Sequence, residues 1–522
     1  MRKLSIGIID LVSKAPTRTW WMRVMGANFA SIMPQVVATW CEEEGHEVTL
    51  VCYTGRENPV GELPEKLDVV FIGAFTEAAL LSYALSNLFR SRGAITVLGG
   101  PHARCYPQDA QKYFDYVLGF TTKALILDVL QDCTQHRPLG QHLSAERHPT
   151  ILPGVRERWK FIEQTLRKAP FVKFVPLIGS LGCPYSCSFC IDSSVPYQPL
   201  NSETLKEDLR FLLGKFDRPR VAWHDPNFGV RFDDSMDAIA DAVPPGRIDF
   251  IAETTLSLLT EPRVERLKLN GFKALLPGIE SWFDVSNKSR TGKTTGMDKV
   301  RKISDHINML LRHVPYVQTN HIFGLDVDEG PEPFTLTKRF LDLTPGAFPA
   351  YSLFSAFGQA APLNLELQRA NRILPFPFPF LNNNQAMNIR PLNYSWQDFY
   401  DHLIDVTKHS FSRRMILRRF LANRGTTSKW LNVVRAVSSE GYGRIKYYTE
   451  VRRRLDTDRQ FRSFFEQETT EVPEFLVQRI RQDLGPFWEW LPEGALYHDP
   501  YAYRGSQQGQ SLSCSAEPTR IQ

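Results

Sequence analysis

Long apolar runs are missing from this sequence. No uninterrupted stretch approaches the ~18 residues that cross a bilayer, so a membrane-spanning protein is not expected. The N-terminus, Met1-Arg2-Lys3 followed by an apolar run from Leu4 to Val12, has the outline of a secretory leader, but Asp10 interrupts the run and no small-residue cleavage site follows. The run reads instead as a buried strand. Cysteine is scarce: there are eight, and Cys41, Cys52, Cys105, Cys133 and Cys514 are scattered without a framework, which argues against a disulfide-stapled secreted fold. Free thiols need a reducing compartment, so the cytoplasm is expected. Charge bias is slight, and a formal net charge of +5 over 522 residues neither demands nor excludes an anionic partner. A hydrophobic content of 43% supports sizeable cores in a chain long enough for several domains.

Residues 1–140 alternate strand-like and helix-like runs. Leu4 to Ile9, Glu47 to Val51, Asp68 to Gly73, Ala94 to Leu98 and Asp115 to Leu118 read as strands, with helices from Ala30 to Glu44 and from Ala78 to Arg92. Short apolar strands alternating with helices predict a doubly wound, Rossmann-like parallel sheet, whose ligands bind outside the carboxyl ends of the strands. That rule points to the loops after Ile9, after Gly73 and at Gly99-Gly100. The glycine pair either lets a backbone approach a large flat cofactor or simply makes a turn. His102, after Gly-Gly-Pro, reads as a loop histidine. Residues 141–169 form a polar linker that becomes a charged helix from about Arg156.

The densest chemistry lies at Gly182-Cys183-Pro184-Tyr185-Ser186-Cys187-Ser188-Phe189-Cys190. A C-x3-C-x2-C spacing lets one loop aim three thiolates at one centre, either an iron–sulfur cluster or a zinc ion, with one ligand position left open. Further βα units follow over residues 170–360, with strands at Phe174 to Ile178, Arg220 to His224, Ile248 to Ala252, Phe272 to Leu276, Tyr316 to Phe323 and Tyr351 to Phe354. Repeats of that length fit a partial or full β/α barrel with its polar residues at the strand exits. Glu253 and Glu280 stand at two exits, as ligand contacts or as ordinary solvated carboxylates; Asp225 and Asn227 either do similar work or shape the Pro226 turn. His224 and His321 read as buried neutral lining residues. Arg290 to Thr295 ends like a phosphate loop, but Asn287 occupies the place of its first glycine.

Taken together these motifs resemble the radical S-adenosylmethionine (SAM) superfamily, in the subgroup with an N-terminal cobalamin-binding domain. Cys183, Cys187 and Cys190, with Phe189 before the last, match the family's triple-cysteine signature; Gly278 to Ser281 and Ile322 to Leu325 resemble its strand-exit motifs. Asp68 to Thr76 and Leu98 to Ala103 resemble the cobalamin-binding domain, although the Asp-x-His-x-x-Gly segment that carries an axial histidine is absent. The resemblance implies a 4Fe-4S cluster on the three cysteines, with SAM on the open iron and cleaved to a 5′-deoxyadenosyl radical. It also implies adenine near Phe189, ribose or amino-group contacts from Glu253 and Glu280, and cobalamin near Gly99 and Gly100. The implied activity is methylation of an unactivated carbon in a small-molecule metabolite, with an electron donor such as flavodoxin or ferredoxin. Ring closure or rearrangement without methyl transfer, RNA methylthiolation, and a non-enzymatic cluster or zinc protein are the alternatives.

Residues 361–505 read as a mainly helical region, entered through the proline–phenylalanine segment from Ile373 to Phe380, a packed strap over the barrel mouth or its side. Two basic patches, Arg413 to Arg424 and Arg444 to Arg454, read as solvated helix faces rather than a nucleic-acid surface, and residues 506–522 as a disordered tail.

Overall fold

The computed structural model describes residues 2–18, 23, 26, 28–133, 139–169, 171–283, 285 and 291–505. Asn287 and Arg290 of the phosphate-loop stretch, and the tail 506–522, lie outside the described residues.

Six parallel strands form the N-terminal sheet: β1 (Ser5–Leu11), β2 (Glu47–Tyr53), β3 (Val69–Ala74), β4 (Ile95–Gly99), β5 (Tyr116–Leu118) and β6 (Gln141–Leu143), in the order β2-β1-β3-β4-β5-β6. Side chains alternate between faces as strand geometry requires. Ile6 and Ile8 of β1 pack on one face with Phe71 and Val97, while Ile9 and Leu11 pack on the other with Val70, Ile72 and Leu98. Burial of both faces explains why the strands read as unbroken apolar runs. The order reverses at β1, which has β2 on one side and β3 on the other. The stretch read as a linker opens with β6, too short and polar to signal a strand. His102 is not in a loop but in the short helix Pro101–Cys105, fully buried, with Nε2 2.7 Å from the Tyr83 hydroxyl.

The central region carries a second six-stranded parallel sheet built from β7 (Val175–Leu177), β10 (Arg220–Phe228), β11 (Asp249–Thr255), β12 (Phe272–Glu280), β13 (Tyr316–Phe323) and β14 (Phe348–Leu353), in sequential order. Between β7 and β10 lies a two-stranded antiparallel clasp, β8 (Ser180–Leu181) with β9 (Gln198–Pro199). Amphipathic helices such as Ser202–Lys215 and Gly296–His313 cover one face, burying Leu205, Leu209, Ile303 and Ile307. Sequential parallel strands with crossover helices make a partial β/α barrel. The chain is therefore α/β, with a mainly helical C-terminal region from Trp396–Ser410 to Glu474–Leu484.

The proline–phenylalanine strap is wedged into the core that joins these parts. Phe376, Phe378 and Phe380 are at most 2% exposed. The Phe378 ring lies 4.3 Å from His498, 4.7 Å from His102 and 4.7 Å from Tyr106, so it bridges the N-terminal sheet and the chain's last described segment. Phe378→Ala would leave a cavity at this junction. We expect a loss of about 3–5 kcal/mol, read as a lower midpoint in denaturant unfolding; an unchanged midpoint would refute the bridging role.

Candidate functional site

The cysteine loop, residues 182–197, is closed at its base by the β8–β9 clasp. Gly182 holds a left-handed conformation, φ +68°, and a Cβ there would sit 2.4 Å from the Pro196 carbonyl oxygen, so only glycine lets the two ends of the loop cross. Asp225 sets the entry. Its carboxylate accepts hydrogen bonds from the Gly179 amide at 2.7 Å and the Ser180 hydroxyl at 2.6 Å. It reaches them because β10 bulges: Trp223 pairs with Ala252, but Phe228 pairs with Thr254, leaving extra residues between. The bulge turns Asp225 toward the loop and presents His224 and Pro226 to a neighbouring cavity.

Cys183, Cys187 and Cys190 are half-buried and free of disulfides. The Cys190 amide donates to the Cys187 carbonyl at 3.0 Å, and Ser193 Oγ donates to the Cys190 carbonyl at 2.7 Å, giving the loop a tight turn. Its outer side is tied to the chain after β14: Leu363 donates its amide to the Ser188 carbonyl at 3.1 Å, and Ser194 Oγ donates to the Ala360 carbonyl at 3.0 Å. Phe189 packs partly buried against the large core. Among the described residues no three His, Cys, Asp or Glu side chains gather tightly enough to hold a metal ion. A cubane cluster distributes its thiolates over separate irons, and the chemistry of three half-buried thiols on one turn fits such a group.

A cavity of about 400 Å3 lies between the carboxyl ends of β1, β3 and β4 and the base of the cysteine loop. Gly73, Gly99 and Gly100 form part of one wall, and Gly182, Asp192 and His224 part of the other. Its position at the reversal of strand order is where open α/β sheets bind ligands. Gly100 has φ +92°, and a Cβ would meet the Ala74 backbone at 3.0 Å; a Cβ on Gly99 would meet nothing within 4 Å. One glycine makes the turn and the other leaves space.

The lining is apolar apart from a few placed polar groups. Asp10, 2% exposed, accepts a hydrogen bond from the Ser31 amide at 2.7 Å; burial pushes its carboxyl up to about 6 against that bond. Burial, with a smaller push from Arg158, lowers His224 to about 4, so its imidazole is neutral. His148 is likewise lowered to about 4 by burial, and its Nδ1 has no partner. Arg104 and Asp192 form an ion pair at 3.2 Å that joins the N-terminal sheet's short helix to the cysteine loop.

The strand-exit carboxylates are arranged differently. Glu253 is exposed on β11 and Glu280 ends the adjacent β12; neither they nor Phe189 line the cavity, whereas Gly99 and Gly100 do. Glu280 has φ +64°, a left-handed conformation that costs a non-glycine residue about 1–3 kcal/mol and clusters at functional sites. A Cβ on Gly278 would lie 2.3 Å from Glu280 Oε1, so the carboxylate folds back over that glycine. Asn227, 3% exposed, leaves both side-chain amide atoms without a partner. His321 is fully neutral, lowered to about 3 by burial behind the sheet.

No protein-family model matches the chain. Over 289 residues it is 25% identical to a bacteriochlorophyllide d C-8(2)-methyltransferase of Chlorobaculum tepidum, and over 299 residues 22% identical to the C-12(1)-methyltransferase of that organism. These alignments take in 49% and 56% of this chain and 64% of each relative, less than two thirds of the relatives' own length. The solved radical SAM methyltransferase TsrM from Kitasatospora setae, with cobalamin and a 4Fe-4S cluster bound, has a TM-score of 0.52 at 12% identity, covering 92% of this chain and 99% of its own. OxsB, a cobalamin-dependent SAM radical enzyme with aqua-cobalamin bound, gives 0.54 at 12% identity, covering 94% and 80%. This chain has the fold of the cobalamin-dependent radical SAM enzymes.

Within that radical SAM fold, sequence reading missed Arg104, His148 and Asp192 as cavity residues, because three distant segments bring them together. Asp10 did carry a signal: a lone charge breaking an apolar strand. A carboxyl whose value rises on folding favours the folded state while protonated. That contribution is full below about pH 4 and is lost as pH rises through about 6. In the protein without added cofactors, Asp10→Asn should therefore gain stability over the parent from about pH 4 to pH 7, on the order of 3 kcal/mol. Unfolding midpoints measured across that range check it; a difference independent of pH refutes it.

Proposed function

We propose that this chain is a cobalamin-dependent radical SAM methyltransferase that acts on an unactivated carbon of a small-molecule substrate. The observation that carries the proposal is the cavity whose two walls are the switch point of a Rossmann-like sheet and the base of a three-cysteine loop. When bound, the cluster supplies the electron that cleaves SAM to a 5′-deoxyadenosyl radical, and cobalamin carries the methyl group. Methyl transfer is favoured over ring closure or rearrangement because both curated relatives are methyltransferases.

Cys183, Cys187 and Cys190 would hold the cluster, leaving one iron without a protein ligand. Gly99 and Gly100 would let the corrin approach the strand ends; the sequence has no Asp-x-His-x-x-Gly segment to contribute a histidine there. Phe189, Glu253 and Glu280 are assigned to SAM, together with Asn227, whose unpartnered amide offers a donor and an acceptor. Asp225 and the Arg104–Asp192 pair are positioning residues that hold the loop against the cavity. A flavodoxin- or ferredoxin-type donor in the cytoplasm would supply the electron. RNA methylthiolation is disfavoured because Cys41, Cys52 and Cys105 are each buried, at most 4% exposed, and burial pushes Cys41 and Cys105 up to about 12, away from the thiolate a second cluster needs.

The test is anaerobic reconstitution with iron, sulfide and cobalamin. We expect about four irons per chain, cobalamin retained through gel filtration, and 5′-deoxyadenosine formed from SAM on reduction. Cys187→Ala should lose the cluster's electron paramagnetic signal and SAM cleavage yet retain cobalamin. Gly99→Phe, which projects a ring into open space, should lose cobalamin yet keep the cluster. Parent protein that holds a cluster but no cobalamin would remove methyl transfer; protein that cleaves no SAM would remove the radical chemistry.

A further inference from the structure

A second surface, remote from the cavity, has a composition of its own. Between Val406 and Ser439 the sequence carries eight Lys and Arg and no Asp or Glu. Two consecutive helices, Arg413–Ala422 and Thr426–Val437, lie in this stretch. Some of the charge is structural. Arg419 is 1% exposed and donates Nε to the Ala347 carbonyl at 2.9 Å; Arg418 binds Asp342 at 2.9 Å, and Arg435 binds Glu440 at 2.8 Å. Arg413, Arg414 and Arg424 remain exposed.

The same outer face exposes large apolar side chains: Leu417 at 57%, Leu421 at 68%, Trp430 at 58%, Leu431 at 41% and Val437 at 51%. Arg414, Leu417, Leu421 and Arg424 fall three, four and three residues apart, so leucines and arginines share one side of the first helix and its exit. Trp430 meets Phe420 edge to face at 5.6 Å, and Lys429 Nζ lies 5.3 Å from the Phe420 ring centre, which makes the two helices one continuous patch.

We propose that this helical pair is a docking surface for an anionic lipid bilayer, lying in the headgroup plane without crossing the membrane. Exposed Leu and Trp flanked by Arg, with no acid among them, is the composition of interfacial helices, in which apolar burial and attraction to anionic lipid act together. A second copy of the chain fits poorly, because a self-complementary contact would bring two basic patches together with no acid from Val406 to Ser439 to pair them. Single-stranded RNA fits less well, since base stacking needs exposed aromatic faces and Trp430 is the one exposed aromatic of the patch. The second basic stretch does not compete: Arg452, Arg453 and Arg454 bind Asp401, Glu450 and Asp458.

The location suits the role. Asn423 and Arg419 grip Gly346 and Ala347 just before β14, and Arg435 reaches Gln318 near the start of β13, so the pair covers the amino-terminal edge of the second sheet. The cysteine loop and cavity lie at the opposite, carboxyl-terminal edge. A docked molecule would keep its cavity facing the aqueous side.

Vesicles of phosphatidylcholine with phosphatidylglycerol, and of phosphatidylcholine alone, give the test by co-sedimentation of the full chain. Binding is expected to the anionic vesicles and to fall with salt. Arg413→Ser/Arg414→Ser/Arg424→Ser should weaken it about 100-fold, and Leu417→Ser/Leu421→Ser/Trp430→Ser about tenfold or more, with circular dichroism unchanged because all six side chains are exposed. No binding to anionic vesicles, equal binding to both vesicle types, or binding indifferent to both variants would overturn the proposal. So would displacement from vesicles by single-stranded RNA at comparable affinity, or a dimer that the leucine–tryptophan variant dissociates.

Discussion

One buried carboxyl group decides where the cysteine loop begins. Asp225, held within the β10 bulge, takes the Gly179 amide and the Ser180 hydroxyl, the first polar groups beyond the end of β7. Burial pushes it up to about 6, and those two hydrogen bonds are what draw it back toward the ionised form. From that anchor the rest follows in order: the clasp β8–β9 closes, Gly182 crosses under Pro196, and three half-buried thiols are carried on the turn beyond. The loop has little regular structure of its own. Its geometry is borrowed from a strand that follows one helix later in the sequence.

The architecture was legible because both sheets are parallel: strands of the first are buried on both faces and read as short apolar runs, while those of the second alternate buried with half-buried positions. The strand Tyr316–Phe323 occurs with the limits read from the residues alone. Departures occurred where pattern and burial part company. β10 runs on to Phe228, through Pro226, because a bulge lets a proline sit where no ladder bond is needed. The basic stretch from Arg444 to Arg454, read as a solvated helix face, lies in the helix Tyr442–Thr457, where Arg452 and Arg454 are half-buried and ion-paired while Tyr448, Val451 and Leu455 are buried. Local spacing named the three cysteines and the glycine pair, since each is a short-range signal. The ion pair between Arg104 and Asp192 joins segments far apart in sequence, and no periodicity announces such a meeting.

The two glycines at 99 and 100 show how one dipeptide serves two demands. Gly100 adopts a conformation forbidden to most residues and passes close to Ala74, while Gly99 keeps the space above it empty. Opposite them, Glu280 takes the reverse course: a non-glycine residue holds a left-handed conformation, and the glycine two residues earlier makes room for its carboxylate. Strain and space are thus concentrated at strand ends of both sheets.

The Phe378 bridge has a consequence for how the chain is made. The surface formed by Tyr83, His102 and Tyr106 is covered by Phe378 and by His498, and the Tyr503 hydroxyl oxygen accepts a hydrogen bond from the Gln108 amide at 3.2 Å. On a ribosome adding ~5–20 residues each second, the N-terminal sheet emerges tens of seconds before those covering residues exist. During synthesis one aromatic face of an otherwise complete sheet therefore stands bare until Phe378, His498 and Tyr503, made much later, cover it.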